Sequence, residues 1–281
     1  MCLSKEIKFK SCSKILGYAI FCYSVLFLVA LFYVTIFKKP DSNNLTLIII
    51  RESAFLFSGL IVFLISRNFY GDRLHLNKPF QAIKYYFYTL LIIILFCCIL
   101  SIFNIVDLVI FKIEDIYCLV KFIIFCTIPT LFIGIGEEII FRWFLLNRLT
   151  KIVKLNIAII VGSVIFCLGH NWNIPNMLFT FFGACVFSLI YVYSNSILNS
   201  ISVHSAWNFG QRFFFEGMSD ISYSGQRLIV LKIRDISKYN WFESCFGFLV
   251  FLFVLFFIYY LSKYRLEDRF KTNNEATLRK E

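Results

Sequence analysis

Charge is the scarcest commodity in this sequence. Only 16% of its 281 residues are Asp, Glu, Lys or Arg, where a soluble domain carries about 25%. With 59% hydrophobic residues and a mean hydropathy of +0.77, that shortage excludes an ordinary soluble domain. The bilayer becomes the solvent that decides which elements can form. No CxxC pair occurs either. The ten cysteines are scattered, and most fall inside apolar runs, where a thiol packs as a small hydrophobe. Neither a disulfide framework nor a zinc knuckle is supported. The chain also lacks an internal repeat, a Gly/Ser linker and a second domain, and it has only three histidines.

The charges that are present sit at the ends. Lys5, Lys8, Lys10 and Lys14 crowd the start, and Lys263, Arg265, Arg269, Lys271, Arg279 and Lys280 crowd the tail. The net charge of +11 therefore does not describe a basic surface on a folded domain, and nucleic acid is not an expected partner. Positive flanks of this kind set orientation and touch anionic headgroups.

A crossing helix needs about 20 apolar residues, and on that ruler the chain holds about eight. They fall near Ile15–Phe37, Ala54–Ser66 (with a possible extension back through Leu45–Ile50, interrupted by Arg51 and Glu52), Tyr85–Phe103 and Leu119–Ile140. Four more lie near Leu155–His170, Asn176–Tyr193, Ile197–Phe214 and Trp241–Leu261. The expected fold is all-α, a polytopic transmembrane bundle of residues 1–262, followed by a charged cytoplasmic tail, 263–281. Basic stretches at the N-terminus, Arg67–Lys84, Arg142–Lys154 and the tail would share one side, the cytoplasmic one. The basic loop Arg212–Lys238 is the misfit, because an eight-helix count puts it outside.

Chemistry is to be sought where charge interrupts the apolar runs. Glu137 and Glu138 adjoin each other in Ile133-Gly-Ile-Gly-Glu-Glu-Ile-Ile-Phe-Arg142. One carboxylate inside a bilayer costs roughly 2.5–3.5 kcal/mol on the lenient insertion scales. Glu138 and Arg142 are four apart with the acid first, the favourable order for a helical ion pair. Glu137 is rotated by about 100° and has no such partner in its segment. The spacing assigns Glu138–Arg142 to a structural clasp and leaves Glu137 for general-base work. Gly134 and Gly136, just ahead, thin the helix so that another element can approach closely. His204 and Asn208, four apart, share a helical face and offer hydrogen-bond donors to an oxyanion. His170 closes the fifth segment. Cys167 is three residues before His170, but no third group orients that pair, and a thiol–imidazole dyad is set aside. Ser205 points away from its neighbour His204, and His75 reads as a solvated loop residue.

The set Glu137-Glu138-x-x-x-Arg142, Phe166-x-x-x-His170 and His204-x-x-x-Asn208 resembles the three motifs of the CPBP intramembrane proteases, the CAAX-protease and bacteriocin-processing (Abi) family. The motif core falls within residues 119–212. The resemblance implies a helical membrane core with a peptidase site inside the bilayer. Glu137 and His170 would activate a water, His204 and Asn208 would stabilise the tetrahedral oxyanion, and Glu138 and Arg142 would support the first motif. Members are often described as metalloproteases. Glu137, His170 and His204 are the candidate ligands of an open zinc site. A zinc-bound Glu137 would leave only the Arg142-engaged Glu138 as base, so metal-independent activation is favoured and zinc stays open.

The implied function is endopeptidase cleavage of a membrane-embedded or lipidated, CAAX-like peptide by a multi-pass protein of the plasma membrane with both termini cytoplasmic. The alternative within the family is bacteriocin self-immunity without proteolysis. A proton-relaying transporter is a third possibility, disfavoured by the missing repeat.

Overall fold

Long stretches that are apolar on every face can satisfy their backbone in lipid only as helices, and the computed structural model of this chain is a bundle of eight helical rods. It describes residues 2–37, 45–70, 74, 76–110, 116–170, 172–215 and 229–261. The helices are α1 (Cys2–Phe37), α2 (Leu45–Tyr70), α3 (Pro79–Ile102) and α4 (Ile116–Glu138). The last continues through a π-helical segment (Ile139–Leu146) into α5 (Asn147–Thr150). Then come α6 (Leu155–Leu168), α7 (Ile174–Ser194), α8 (Ile197–Phe214) and α9 (Ile236–Leu261). Among the described residues five stretches are long and apolar enough to cross a membrane: Glu52–Tyr70, Pro79–Ile102, Phe122–Thr150, Ile174–Ser194 and Ile236–Phe256. Bulky side chains such as Phe87 and Leu91 on α3 and Leu249 and Phe253 on α9 stand on the outer surface, as a lipid-facing shell requires. The expected tail, His75 and Asn171 lie outside the described residues.

The structure corrects the boundary of the fourth segment. Arg142 and Arg148 do not open a basic loop; both lie inside the rod and are buried, at 1% and 5% exposure. Each is held by a local partner. Arg142 pairs with Glu138 at 3.0 Å. Arg148 donates to Ser66 Oγ at 3.2 Å and its guanidinium lies 3.9 Å over the Tyr70 ring. The connection between rods shrinks to Lys151–Lys154, and the two glutamates come to sit mid-rod instead of near its end. The π-helical turns begin immediately after them, the placement such bulges often have at functional sites.

The second segment is likewise unbroken. Glu52 is buried within α2 because Arg212 of α8 donates to its Oε1 at 2.8 Å.

One small sheet accompanies the helices. Strand β1 (Val106–Ile110) pairs antiparallel with β2 (Ile229–Ile233), from Val106 opposite Ile233 to Ile110 opposite Ile229. It ties the connection after α3 to the connection after α8, so these two connections lie on one side of the bundle. The supposed loop Arg212–Lys238 thus begins inside α8 and contains a strand. Its residues 216–228 are outside the described residues.

Glycines bring α4 close to two neighbours. A Cβ at Gly59 of α2 would stand 2.8 Å from Gly136 Cα, and one at Gly136 would strike the Phe55 carbonyl oxygen. On the other side, a Cβ at Gly134 would strike Ser205 Oγ of α8. Helix α4 is therefore wedged between α2 and α8 at near-backbone contact, which is what small residues permit in membrane packing. Helix α8 carries a polar series: Asn199, Ser200, His204, Ser205, Asn208, Gln211 and Arg212.

Candidate active site

The wedge places the α4 carboxylates against α8, and they are not equivalent. Glu138 is fully buried and fully engaged. Its Oε1 is 3.0 Å from Arg142 Nη1 and 2.8 Å from His204 Nδ1. Its Oε2 accepts from the Ser200 hydroxyl, which also lies 3.1 Å from the Phe187 carbonyl oxygen. Arg142 is itself held from above and below. Its guanidinium carbon lies 4.4 Å from the Phe166 centroid and 5.2 Å from that of Phe187, while Nη2 donates to the Ala184 carbonyl at 3.3 Å.

Glu137 is the contrasting case. It is buried, with 7% exposure, and its Oε2 has no hydrogen-bond partner among the described residues. The nearest cationic-capable atom is His204 Nε2, 3.6 Å away, just beyond hydrogen-bond reach. The His204 ring therefore stands between the two carboxylates, bonded to one and facing the other. A carboxylate paired with Arg142 can only accept, so His204 Nδ1 carries the proton in the bond to Glu138. Phe187 of α7 fixes the ring plane by stacking on it, with centroids 4.6 Å apart and planes at 15°.

His170 follows α6, one residue past its C-cap Gly169. Its Nδ1 is 3.0 Å from the Phe166 carbonyl oxygen. A carbonyl only accepts, so Nδ1 bears the proton and Nε2 is left with its lone pair or a second proton. The two imidazoles share a neighbour in Phe166, whose ring centroid is 4.5 Å from that of His170 and 6.2 Å from that of His204. Tyr23 of α1 supports this end of the site. Its hydroxyl donates to the Ile165 carbonyl, and its ring covers Gly169, where a Cβ would come 2.9 Å from Tyr23 Cε1.

Glu137, Glu138, Arg142 and His204 thus form one cluster, and His170 borders it through Phe166. Asn208 lies one turn past His204 on α8, half-buried and without a hydrogen bond among the described residues. Cys167 donates to the Met177 carbonyl at 3.2 Å, away from His170. Ser205 Oγ is buried against Gly134 without a partner. Ser200, Phe187 and Tyr23 were not singled out in the sequence. Ser200 had a usable signal, since it sits four before His204 and shares its face; Phe187 and Tyr23 had none beyond being aromatic.

The three candidate zinc ligands are not gathered into a binding set. Among the described residues no three His, Cys, Asp or Glu side chains converge as a metal site, so the donors as arranged do not form the three-ligand set that a resident zinc needs.

The fold and this cluster define a multi-pass membrane protein with a buried, carboxylate-centred site. Residues 119–210, well under half of the chain, match the family model described as Type II CAAX prenyl endopeptidase Rce1-like, which bears out the resemblance to the CPBP proteases. The matched span runs from α4 through most of α8 and contains every cluster residue named above except Tyr23. No curated protein and no solved structure matches the chain.

Proposed function

We propose that this chain is an intramembrane endopeptidase that cleaves a peptide bond in a membrane-embedded or lipidated, CAAX-like substrate. The observation that carries the reading is the asymmetry of the paired acids. Glu138 is saturated by Arg142, His204 and Ser200, whereas Glu137 presents a buried oxygen with no partner beside an imidazole held in a fixed plane. A structural carboxylate has its lone pairs filled; a base must keep one open.

In the proposed cycle Glu137, assisted by His170, removes a proton from a water whose oxygen attacks the substrate carbonyl carbon. The carbonyl π electrons move onto oxygen. His204, carrying a proton on Nε2 as well as the one on Nδ1 held by Glu138, and the Asn208 carboxamide then donate to that oxyanion. Glu138 anchors the opposite ring nitrogen, so donating at Nε2 requires no reorientation of the ring. As the intermediate collapses, the carbonyl re-forms, the C–N bond breaks, and the proton held at the Glu137/His170 pair passes to the leaving amine. Glu138 and Arg142 act by holding His204.

The substrate would reach the site from the lipid or the cytoplasmic face. Basic residues flanking the helix ends favour cytoplasmic termini, in the plasma membrane on this reading, and the sheet joins two connections that an even number of intervening crossings puts on one side.

The test is cleavage of a fluorogenic prenylated peptide by the purified protein in lipid, with products identified by mass. The parent should hydrolyse it, and Glu137→Ala and His170→Ala should not. Equal turnover by either variant would overturn the assignment.

A further inference from the structure

We infer that the largely buried Glu52–Arg212 ion pair, its acid fully enclosed and its guanidinium partly so, is a positioning clasp that holds the α8 donors, His204 and Asn208, at working distance from Glu137. The inference rests on the peptidase reading above and adds to it two residues that lie at the margins of the motifs.

Three helices, α2, α4 and α8, surround the reacting acid, and their mutual positions need three fixed sides. The first, α2 to α4, is set by backbone contact: Gly59 against Gly136, and Gly136 against the Phe55 carbonyl. The second, α4 to α8, is set by Gly134 against Ser205 and by the Glu138–His204 bond. Aromatic packing continues that side toward the end of α8, where the Phe213 ring lies 5.5 Å from that of Phe122. The third side, α2 to α8, is the bond from Arg212 Nη2 to Glu52 Oε1 at 2.8 Å, with side chains only 16% and 5% exposed.

The placement of that bond gives it leverage. Arg212 is seven residues past Ser205, about 10 Å along the axis at 1.5 Å per residue. Asn208 lies between the Ser205 seat and the clasp. Glu52 is three residues before Phe55, so the bond acts one turn from the α2 seat of Gly136. A shift of α8 relative to α2 moves Asn208 and the His204 ring while Glu137 stays where α2 and α4 hold it. Such misplacement matters because an error of about 1 Å at reacting groups costs on the order of a hundredfold in rate. Two charges drawn largely out of water also give a device that a neutral pair does not: each is costly alone and is offset by the other, so the closed spacing is preferred.

The experiment compares the full-length parent with Glu52→Gln, Arg212→Gln, Arg212→Lys and the reversed pair Glu52→Arg/Arg212→Glu, each purified in detergent. Steady-state cleavage of a prenylated peptide and thermal melting are both measured. The clasp predicts that each Gln variant loses roughly tenfold to a hundredfold in kcat, the scale of a misplaced reacting group. KM should stay within about twofold, because binding common to ground and transition states is untouched. Arg212→Lys and the reversed pair should recover much of the loss. Parent-like kcat in the folded Gln variants overturns the inference, as does a reversed pair that folds but recovers nothing. If the parent itself does not cleave, the peptidase reading fails separately. The clasp is then decided by the melting cycle of Glu52→Gln, Arg212→Gln and their double variant, where non-additive shifts support it and additive shifts overturn it.

Discussion

The imidazole of His204 and the ring of Phe187 lie face to face, 4.6 Å between centroids and 15° between planes. Helix α7 thereby sets the orientation of a side chain carried by α8. Such pairs contribute about 0.5–1.5 kcal/mol beyond simple burial. Replacing Phe187 with Leu keeps an apolar filling and removes the flat support. The expected outcome is a fall in kcat of roughly threefold to tenfold, the rate equivalent of that energy, with the melting temperature little changed. Steady-state kinetics on the purified variant checks it, and an unaltered kcat would show that stacking does not orient the ring.

The two glutamates should respond in opposite ways to the same isosteric change. Glu137→Gln removes the base from a site where that oxygen has no partner, so folding should be kept while turnover falls about a hundredfold to ten-thousandfold. Glu138→Gln instead leaves the Arg142 guanidinium buried without its counter-charge, a loss of about 3–5 kcal/mol. Size-exclusion profiles and thermal melts of the two variants separate the cases. Equal stability of both would mean that Arg142 is satisfied by Phe166, Phe187 and the Ala184 carbonyl alone.

The seat between α4 and α8 is testable by compensation. Gly134→Ala drives a methyl into Ser205 Oγ, an overpacking cost of about 1–3 kcal/mol. Ser205 Oγ is buried without a partner, so Ser205→Ala by itself should be neutral or mildly stabilising. The double variant Gly134→Ala/Ser205→Ala should melt higher than Gly134→Ala alone. If the double variant melts no higher, the close approach lies elsewhere on these helices.

Acid should loosen the small sheet. Asp107 of β1 pairs with Arg234, just past β2, and the Arg234 guanidinium holds the Asp107 carboxyl below the usual carboxylate range. A depressed folded value means that the contribution is complete above the unfolded pKa of about 3.9 and is lost as pH falls through the folded value. Amide exchange across Val106–Ile110, corrected for its intrinsic rate, should accelerate in that acid window. Asp107→Asn should show the accelerated exchange at neutral pH already and little further change on acidification. Both groups are solvent-exposed, so added salt should shrink the difference.

Much of the bundle was legible because its signals are local. Apolar length located eight rods, and i,i+4 spacing identified the Glu138–Arg142 pair and set Glu137 apart. What escaped is non-local or masked by charge. Arg148 read as a loop residue, since nothing in its neighbourhood announces Ser66 and Tyr70 as partners. Glu52 read as a helix interruption because Arg212, which permits it, is 160 positions away. Strand β1 passed as a connection, because a five-residue apolar run becomes a strand only when another arrives to pair with it. The His204 neighbours illustrate the same limit. Its role as a hydrogen-bond donor was inferred from type and spacing, but its suspension between two carboxylates depends on how α4 is wedged.

On the peptidase reading each bond broken consumes one water, and a site walled by hydrocarbon has to be supplied with it. The hydrogen-bonding side chains of α8, from Asn199 through Ser200, His204 and Asn208 to Arg212, run nearly end to end along a helix that borders the open carboxylate oxygen. Ser200, His204, Asn208 and Arg212, spaced four apart, set one polar stripe along α8, which gives water near Glu137 partners that a hydrocarbon wall does not offer.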